Sequence, residues 1–452
     1  MRYITAFIAG IALLTVLSAP ARAQSPLAPT PPMGWNSWDA YGTTVREDEV
    51  KANADYMAKY LAPYGWQYIV VDIEWYTPRP KTHGYIPDPS NVTLDEFGRL
   101  VPAVGRFPSA GDGSGFTHLA AYVHSKGLKF GIHIMRGIPR EAVTRKLPIL
   151  GTSYTAADVA DKSNVCPWQG MVDMFGVNAK HPGGQAYYDS IVKMYAEWGV
   201  DYIKADDMLA PVAQLDEIAA LHKAILHSGR PIVLSLSPGP APLARAAFIA
   251  ENANLWRISN DFWDTWRSLR EAFDLLNRWS PFVKPGGWPD ADMLPLGRIG
   301  IRGEVGDDRR TRFTPDEQRT HITLWCIARS PLMFGGDLPS IDPATLALIT
   351  NQEVLAANQK GTDSHQLFSH GDGITWVSSA PDGVSKYLAI FNVGDTGEGE
   401  IHVNWSDLGL PPSCALRDLW ARKDVGKVRD GETFKVPPHG AAFYKLTPAP
   451  GK

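Results

Sequence analysis

The chain has 452 residues, 44% of them apolar, so it can fill a large hydrophobic core and is neither fibrous nor disordered. Its 44 basic and 48 acidic residues give a formal charge of −4, and no basic run matches a row of phosphates, so we expect no nucleic-acid partner. Cys166, Cys326 and Cys414 lack the spacing of a metal site or a disulfide framework. We therefore expect no metal, no cofactor and a fold stabilised by its core.

The N-terminus has the pattern of a secretory signal peptide. Arg2 precedes an apolar run over residues 4–17, and Ala21 and Ala23 occupy the small positions of a cleavage site. The run is shorter than the roughly 20 residues of a membrane span, and no later segment is apolar for long enough. We predict cleavage after residues 1–23 and a secreted or periplasmic protein.

Short apolar runs separated by amphipathic segments recur through residues 24–360. The segment "QLDEIAALHKAILHSG" places Leu215, Ile218, Leu221 and Ile225 on one helical face and ends at Gly229, as a helix C-cap would. Strands that alternate with helices predict a parallel sheet. The pattern contains about eight strand–helix units, and no G-x-G-x-x-G follows the first strand. Both observations favour a TIM barrel over an open doubly wound sheet. The predicted strand runs are residues 33–38, 68–75, 128–135, 201–207, 231–237, 255–261, 288–294 and 331–337.

The pattern changes at about Gly361. Short alternating runs such as "GITWVSSA", "KYLAIFNV" and "EIHVNW" follow, separated by Gly, Asp and Pro. This pattern predicts that residues 361–452 form an antiparallel β-sandwich.

Polar or aromatic residues lie at the end of nearly every predicted strand of the barrel. Carboxyl ends of barrel strands meet on one face, so these side chains should converge. Any one of them could be a helix cap or, for His133, an inward hydrogen-bonded histidine. Cleavage of a glycosidic bond requires a pair of carboxyl groups, and aromatic rings suit the flat face of a sugar. The strand ends provide both, and the sequence has no nucleotide-binding loop. The residues are Trp38, Asp72, His133, Lys204, Asp206, Ser237, Arg257, Asp261 and Asp292.

Four ordered motifs, "PPMGWNSW", "YIKADDM", "WRISNDFWDTW" and "GGWPDADML", resemble glycoside hydrolase family 27. This family contains α-galactosidases and α-N-acetylgalactosaminidases, and the resemblance spans residues 31–446. It implies a TIM barrel followed by a β-sandwich and hydrolysis with retention of configuration. By motif position it also implies that Asp206 is the nucleophile and Asp261 the acid/base.

The resemblance also assigns sugar-binding residues. Lys204 and Arg257 match sugar-contacting positions, Trp38 matches the stacking aromatic residue, and Asp292 matches the acid of a "DPDM" motif, here "DADM". Two further acids compete with the catalytic pair. Asp207 should point to the opposite face of its strand, and Asp264 should start a helix.

The sequence departs from the family pattern at three sites. Members usually have "DDCW" at the end of the second strand, where this chain has "DIEW" and Ile73 replaces an acid. Ser237 lies nearest to the position of a glutamate that faces O2, and His133 stands where tyrosine is common. We count both, together with Ile73 and Glu74, among the predicted substrate-binding residues. Either Ile73 faces the sugar, or it packs against helices while Glu74 supplies the second acid.

We therefore predict a secreted retaining exo-glycosidase acting on a carbohydrate with terminal α-D-galactosyl or β-L-arabinopyranosyl units. β-L-Arabinopyranose is galactopyranose without its C5 hydroxymethyl group, so an apolar residue in place of an acid favours arabinopyranose. The alternatives are an isomalto-dextranase-type hydrolase and a non-catalytic carbohydrate-binding protein. The binding protein would lack one of the two catalytic acids, and this chain has both.

Asn91 and Asn404 begin N-x-[ST] sequons, the acceptor sequence for N-glycosylation.

Overall fold

The computed structural model describes residues 27–168 and 170–449, so the predicted signal peptide lies outside the described residues. Eight parallel strands form one sheet. The strands are β1 (Met33–Asn36), β2 (Tyr68–Val71), β3 (Lys129–Met135), β4 (Tyr202–Asp206), β5 (Val233–Leu236), β6 (Leu255–Arg257), β7 (Trp288–Asp290) and β8 (Leu332–Phe334). They pair in chain order, and β1 also pairs with β8.

The sheet closes into a barrel at its two ends. Beyond β7, the Leu294 amide donates to the Met333 carbonyl at 2.8 Å, and the Leu294 carbonyl accepts from the Gly335 amide at 3.0 Å. Strands β1 and β2 approach so closely that a Cβ on Gly34 would lie 2.6 Å from the Tyr68 carbonyl oxygen. The predicted TIM barrel is confirmed.

A helix follows each strand and covers the outside of the barrel. All four residues of β2 are buried, as expected of a strand with core on both faces. The predicted helix at residue 215 is confirmed, and it ends at Gly229 with φ +71°. The helices are α1 (Glu47–Tyr56), α2 (Thr117–Ser125), α3 (Pro182–Trp198), α4 (Leu215–Ser228), α5 (Ala246–Asn252), α6 (Trp266–Trp279), α7 (Pro315–Ala328) and α8 (Gln352–Lys360). Shorter helices span Trp38–Tyr41, Arg140–Thr144, Ala156–Val159 and Pro343–Ile349.

Three long insertions follow the carboxyl ends of strands β2, β3 and β7. The first, residues 72–116, is largely irregular. The second contains a small antiparallel sheet of Ile138–Pro139, Met174–Val177 and Ala160–Val165. The third contains a hairpin in which Arg298–Ile299 pairs with Arg309–Arg310. All three contribute side chains to the pocket described below.

The C-terminal domain is an antiparallel β-sandwich, as predicted. One sheet has six strands in the order β9-β10-β11-β16-β13-β14, and β12 pairs with β15 in a second. Leu388, Ile390, Val403, Trp405 and Phe434 fill the core between them. The strands are β9 (Thr362–His370), β10 (Gly373–Ser379), β11 (Lys386–Asn392), β12 (Gly399–Asn404), β13 (Ser413–Asp418), β14 (Lys423–Arg429), β15 (Gly431–Val436) and β16 (Ala441–Pro448).

The sandwich packs against helices α6 and α7 through apolar and polar contacts. Phe273 of α6 meets Phe391 edge-on at 4.9 Å between ring centroids. The His439 ring stacks on Trp266 at 3.7 Å, and its carbonyl accepts from Thr320 Oγ1 at 2.7 Å. Across residues 27–168 and 170–449, none of the helices has the length and apolarity to traverse a bilayer.

Candidate active site

A pocket of about 940 Å³ lies at the carboxyl ends of the barrel strands. It contains seven of the residues that we predicted at strand ends and is formed by the barrel and its insertions. The sandwich contributes none of the lining residues. They are Trp38, Asp72, Ile73, Lys81, Gly84, Tyr85, Pro87, Trp168, Gly170, Lys204, Asp206, Pro238, Arg257, Asn260, Asp261, Asp292, Met293 and Glu304.

A buried ion pair forms one side of the pocket. Asp72 Oδ2 accepts from Lys204 Nζ at 2.8 Å and from Asn36 Nδ2 at 2.7 Å. Burial would by itself raise the pKa of Asp72, but the charge of Lys204 holds that pKa well below its usual range. Burial would lower the pKa of Lys204, but the charges of Asp72 and Asp206 raise it above its usual value. Both groups therefore stay charged and are suited to bind sugar hydroxyls.

Ile73 lines the pocket beside this ion pair, and its exposed fraction is only 2%. The Asp72 side chain accepts a hydrogen bond from the Ile73 amide at 2.8 Å. The strand has already ended at Val71, so the alternation of side chains along an ideal strand does not apply at residues 72–74. Of our two alternatives, the structure has the isoleucine facing the pocket.

Glu74 is buried outside the pocket, which corrects our inclusion of it among the substrate-binding residues. Its backbone adopts the left-handed region, with φ +63°. Its carbonyl accepts from Arg106 Nη1 at 2.6 Å, while its Oε2 has no partner among the described residues. Burial and the charge of Asp173 raise the pKa of Glu74 to about 8. A sugar in the pocket would not meet this carboxyl group.

Asp206, at the end of β4, is held by three donors. Ser237 Oγ donates to its Oδ1 at 2.7 Å, the Asp207 amide donates to the same oxygen at 3.1 Å, and His133 Nε2 donates to its Oδ2 at 2.9 Å. Burial would by itself raise the pKa of Asp206, but the His133 and Ser237 hydrogen bonds and the charge of Lys204 lower it below the usual value. The carboxylate is therefore ionised and fixed in orientation, as a nucleophile requires.

His133 and Ser237, which we expected to contact substrate, are buried and do not line the pocket. Both contact Asp206 instead, so the structure gives them a positioning role. Their strands β3 and β5 flank β4, which explains why their side chains reach its last residue. The sequence showed the strand ends but not the direction of each side chain.

Asp261 lies at the open side of the same pocket, and 52% of its side chain is exposed. Its Oδ1 accepts from Arg257 Nη2 at 3.1 Å. The same guanidinium nitrogen lies 2.9 Å from Asp292 Oδ2, which also accepts from the Phe262 amide at 2.7 Å. Burial raises the pKa of Asp292. Arg257 thus joins the exposed Asp261 to the buried Asp292.

The two competing acids have structural partners. Asp207 has φ +59° and is buried against Arg136, whose Nη2 lies 2.6 Å from its Oδ2. Asp264 accepts from Arg309 Nη2 at 2.6 Å, and the cap of helix α6 is the next residue, Thr265. Neither acid lines the pocket.

Aromatic rings line the upper wall of the pocket. Trp38 stacks on Tyr85 with ring centroids 6.2 Å apart and planes 25° apart. Tyr85, Trp168 and Glu304 come from the three insertions, and sequence reasoning missed them because loops gave no periodic signal. Asn36 was also missed, although a polar residue within the run "MGWNSW" was a usable signal. Among the described residues, no group of His, Cys, Asp and Glu side chains could hold a metal ion.

Family models and curated relatives match both domains of the chain. The model of a family described as alpha galactosidase A matches residues 169–360, and that of the alpha galactosidase C-terminal beta sandwich domain matches residues 370–446. An alpha-galactosidase of Coffea arabica is 32% identical over 429 residues, which cover 93% of this chain and 94% of that protein. An alpha-galactosidase of Cyamopsis tetragonoloba is 30% identical over 94% of this chain and 88% of that protein.

A solved structure is more similar still. The crystal structure of a GH27 β-L-arabinopyranosidase from Geobacillus stearothermophilus is 52% identical to this chain, with a TM-score of 0.92. The match covers 94% of this chain and 98% of that one.

Proposed function

We propose that this chain, which belongs to glycoside hydrolase family 27, removes terminal β-L-arabinopyranosyl units from carbohydrates with retention of configuration. The chain is a glycoside hydrolase, because the family model, the curated relatives and the solved structure all agree on that class. The choice of sugar and the mechanism are the parts that we propose.

The position of Ile73 carries the choice of sugar. It places an apolar side chain in the pocket next to the Asp72–Lys204 ion pair, where a second acid would hold an additional hydroxyl. Arabinopyranose lacks the C5 hydroxymethyl group of galactose. A hydroxyl buried against isoleucine without a partner costs about 1–3 kcal/mol, which disfavours galactose. The 52% identity to an arabinopyranosidase, against 32% to a plant α-galactosidase, supports the same choice.

The first chemical step uses both catalytic acids. The Asp206 carboxylate, already ionised and held by Ser237 and His133, attacks the anomeric carbon. Asp261, on the open side, donates its proton to the oxygen of the leaving group. The bond between the anomeric carbon and that oxygen breaks, and a glycosyl ester forms on Asp206.

The second step reverses the roles. Water enters from the open side, Asp261 takes its proton, and the water oxygen attacks the anomeric carbon while the bond to Asp206 breaks. Two inversions give net retention. Asp72 and Lys204 bind hydroxyls of the sugar, Arg257 holds Asp261 and Asp292, and Trp38 offers a flat face to the sugar ring.

Parallel kinetics on three nitrophenyl glycosides test the proposal. We expect kcat/KM on the β-L-arabinopyranoside to exceed that on the α-galactoside by about tenfold or more, the size of one unpaired hydroxyl. Equal or reversed rates would favour the second candidate, an α-galactosidase, which the plant relatives support. Preference for the α-glucoside would indicate the dextranase-type alternative, and no hydrolysis at all would reject the enzyme.

We also propose export, supported by the charge, apolar run and small residues of the first 23 positions. The test is N-terminal sequencing of the protein recovered from the periplasm or medium of a bacterial host. A mature chain that begins at Gln24 is expected. Full-length protein in the cytoplasm would reject export.

A further inference from the structure

Glu304 is a pocket residue that has no role in the mechanism above. It lies in the turn of the hairpin formed by Arg298–Ile299 and Arg309–Arg310, and it lines the pocket together with Asp261 and Tyr85. Its side chain is half-buried. Among the described residues, no hydrogen bond or ion pair engages its carboxylate.

The hairpin is fixed to the barrel on one side, so the position of Glu304 is defined. The Gly300 amide donates to the Asp39 carbonyl at 2.7 Å, and the Arg302 amide donates to the Ala40 carbonyl at 2.9 Å. The Arg302 side chain also donates to Thr44 Oγ1 at 2.8 Å and to Glu49 Oε2 at 2.7 Å.

Two more contacts fix the hairpin. At its far end Arg309 donates to Asp264, three residues after Asp261, at 2.6 Å. Across the pocket mouth, His83 Nδ1 lies 2.5 Å from the Gly303 carbonyl oxygen. The hairpin therefore joins the loop that bears the acid/base to the loop that bears Tyr85. A carboxylate held this way is preorganised for a ligand.

The environment of Glu304 favours a hydroxyl donor as its partner. Burial raises its pKa, and the charge of Asp261, which lines the same pocket, raises it further. A partly desolvated acid without a partner gains from accepting hydrogen bonds. The hydroxyls of a sugar would provide them, and Trp168, which also lines the pocket, offers an aromatic surface for a sugar ring.

The position of Glu304 relative to Asp261 indicates which of the two linked sugars it contacts. Asp72 and Ile73 are buried in the pocket, and Lys204 beside them has 14% of its side chain exposed, so the proposed function places the terminal unit there. Asp261 donates its proton to the leaving oxygen, so groups beside it on the exposed side face the leaving group. Glu304 is such a group.

We propose that Glu304 accepts hydrogen bonds from hydroxyls of the leaving-group sugar, so that the enzyme is built for arabinopyranose linked to another carbohydrate rather than to an alkyl or aryl group. This inference rests on the proposed function. Glu304 is then a specificity residue for the leaving group and takes no part in proton transfer.

Three β-L-arabinopyranosides separate these roles. The nitrophenyl glycoside needs neither a proton donor nor sugar contacts, the methyl glycoside needs the proton alone, and a disaccharide needs both. We expect Glu304→Ala to lower kcat/KM on the disaccharide about tenfold or more and to change the other two less than about twofold. Glu304→Gln, which retains one acceptor oxygen, should lose less. Glu96→Ala, an exposed site outside the pocket, is the matched control.

Two results would overturn the inference. If Glu304→Ala lowers kcat/KM on the methyl glycoside and on the disaccharide by the same factor, Glu304 assists Asp261. If Glu304→Ala has the same kcat/KM as wild type on each of the three substrates, Glu304 contacts no leaving group. A wild-type protein that does not hydrolyse the nitrophenyl glycoside would instead reject the proposed function, so the two failures are distinguishable.

Discussion

Replacing Ile73 with aspartate should move the preference of the enzyme toward galactosides. Ile73 lines the pocket beside Asp72, so the introduced carboxylate would face the C5 position of the bound sugar. There it can accept a hydrogen bond from the O6 hydroxyl of galactose. Arabinopyranose has no such hydroxyl, so the same carboxylate stays desolvated and unpaired with that sugar.

Two energy terms act on the Ile73→Asp variant, and only the first changes the ratio of the two kcat/KM values. A charge-assisted hydrogen bond contributes about 1.5–3 kcal/mol, which is roughly a 10- to 150-fold change in relative kcat/KM. Repulsion from Asp72 at a separation of about 5 Å and an effective dielectric constant of about 20 costs about 3 kcal/mol. Lys204 is already paired with Asp72 and offsets only part of this cost. The repulsion affects both sugars equally, so absolute rates fall while their ratio reports the new contact.

The assay is kcat/KM of wild type and Ile73→Asp on nitrophenyl α-galactoside and nitrophenyl β-L-arabinopyranoside. The ratio should shift toward the galactoside by about tenfold or more. Ile73→Asn, which is of the same size but uncharged, is the matched control and should shift the ratio less. If both rates fall in proportion and the ratio is unchanged, residue 73 does not contact the C5 substituent.

Further predictions concern the catalytic pair, a buried acid and the cysteines. Asp206→Asn should abolish turnover, whereas Asp261→Ala should be rescued by azide on a nitrophenyl substrate and give a glycosyl azide of retained configuration; an inverted product would exchange the two roles. Glu74 has a folded pKa of about 8 against a usual 4.5, so its contribution to stability is present below pH 4.5 and is lost as the pH rises through 8. In urea unfolding, Glu74→Gln should match wild type at pH 4 and exceed it at pH 9 by up to about 5 kcal/mol, and no gain at pH 9 would contradict the buried position. Cys166, Cys326 and Cys414 are buried free thiols, so dithiothreitol should leave Tm unchanged.

The barrel was predictable because parallel strands are buried on both faces. Each predicted run contains an observed strand, since runs such as "YIVV" carry apolar residues at every position. The order of the strands then followed from the TIM barrel itself, in which consecutive strands lie side by side. The sandwich was predictable for a different reason, because strands such as β12 alternate apolar and polar residues as one-sided strands do.

The mouth of the pocket was not predictable from the same patterns. Its side chains come from irregular insertions, where hydrogen bonds between distant loops decide the conformation. The contact of His83 with Gly303 joins residues 220 positions apart, and the contact of Arg309 with Asp264 joins residues 45 apart. No local period records such pairs, so Tyr85, Trp168 and Glu304 were found only in the structure.

The end of β2 shows why a strand pattern fails where function begins. An ideal strand would put residues 72 and 74 on one face and residue 73 on the other, which would give the pocket two acids. The backbone leaves the strand after Val71, the Asp72 carboxylate accepts from the Ile73 amide, and Glu74 turns into the left-handed region. A turn of three residues thus exchanges which side chain faces the pocket. Active-site residues follow strand ends because the chain is free to turn there, and that freedom removes the alternation on which sequence reasoning depends.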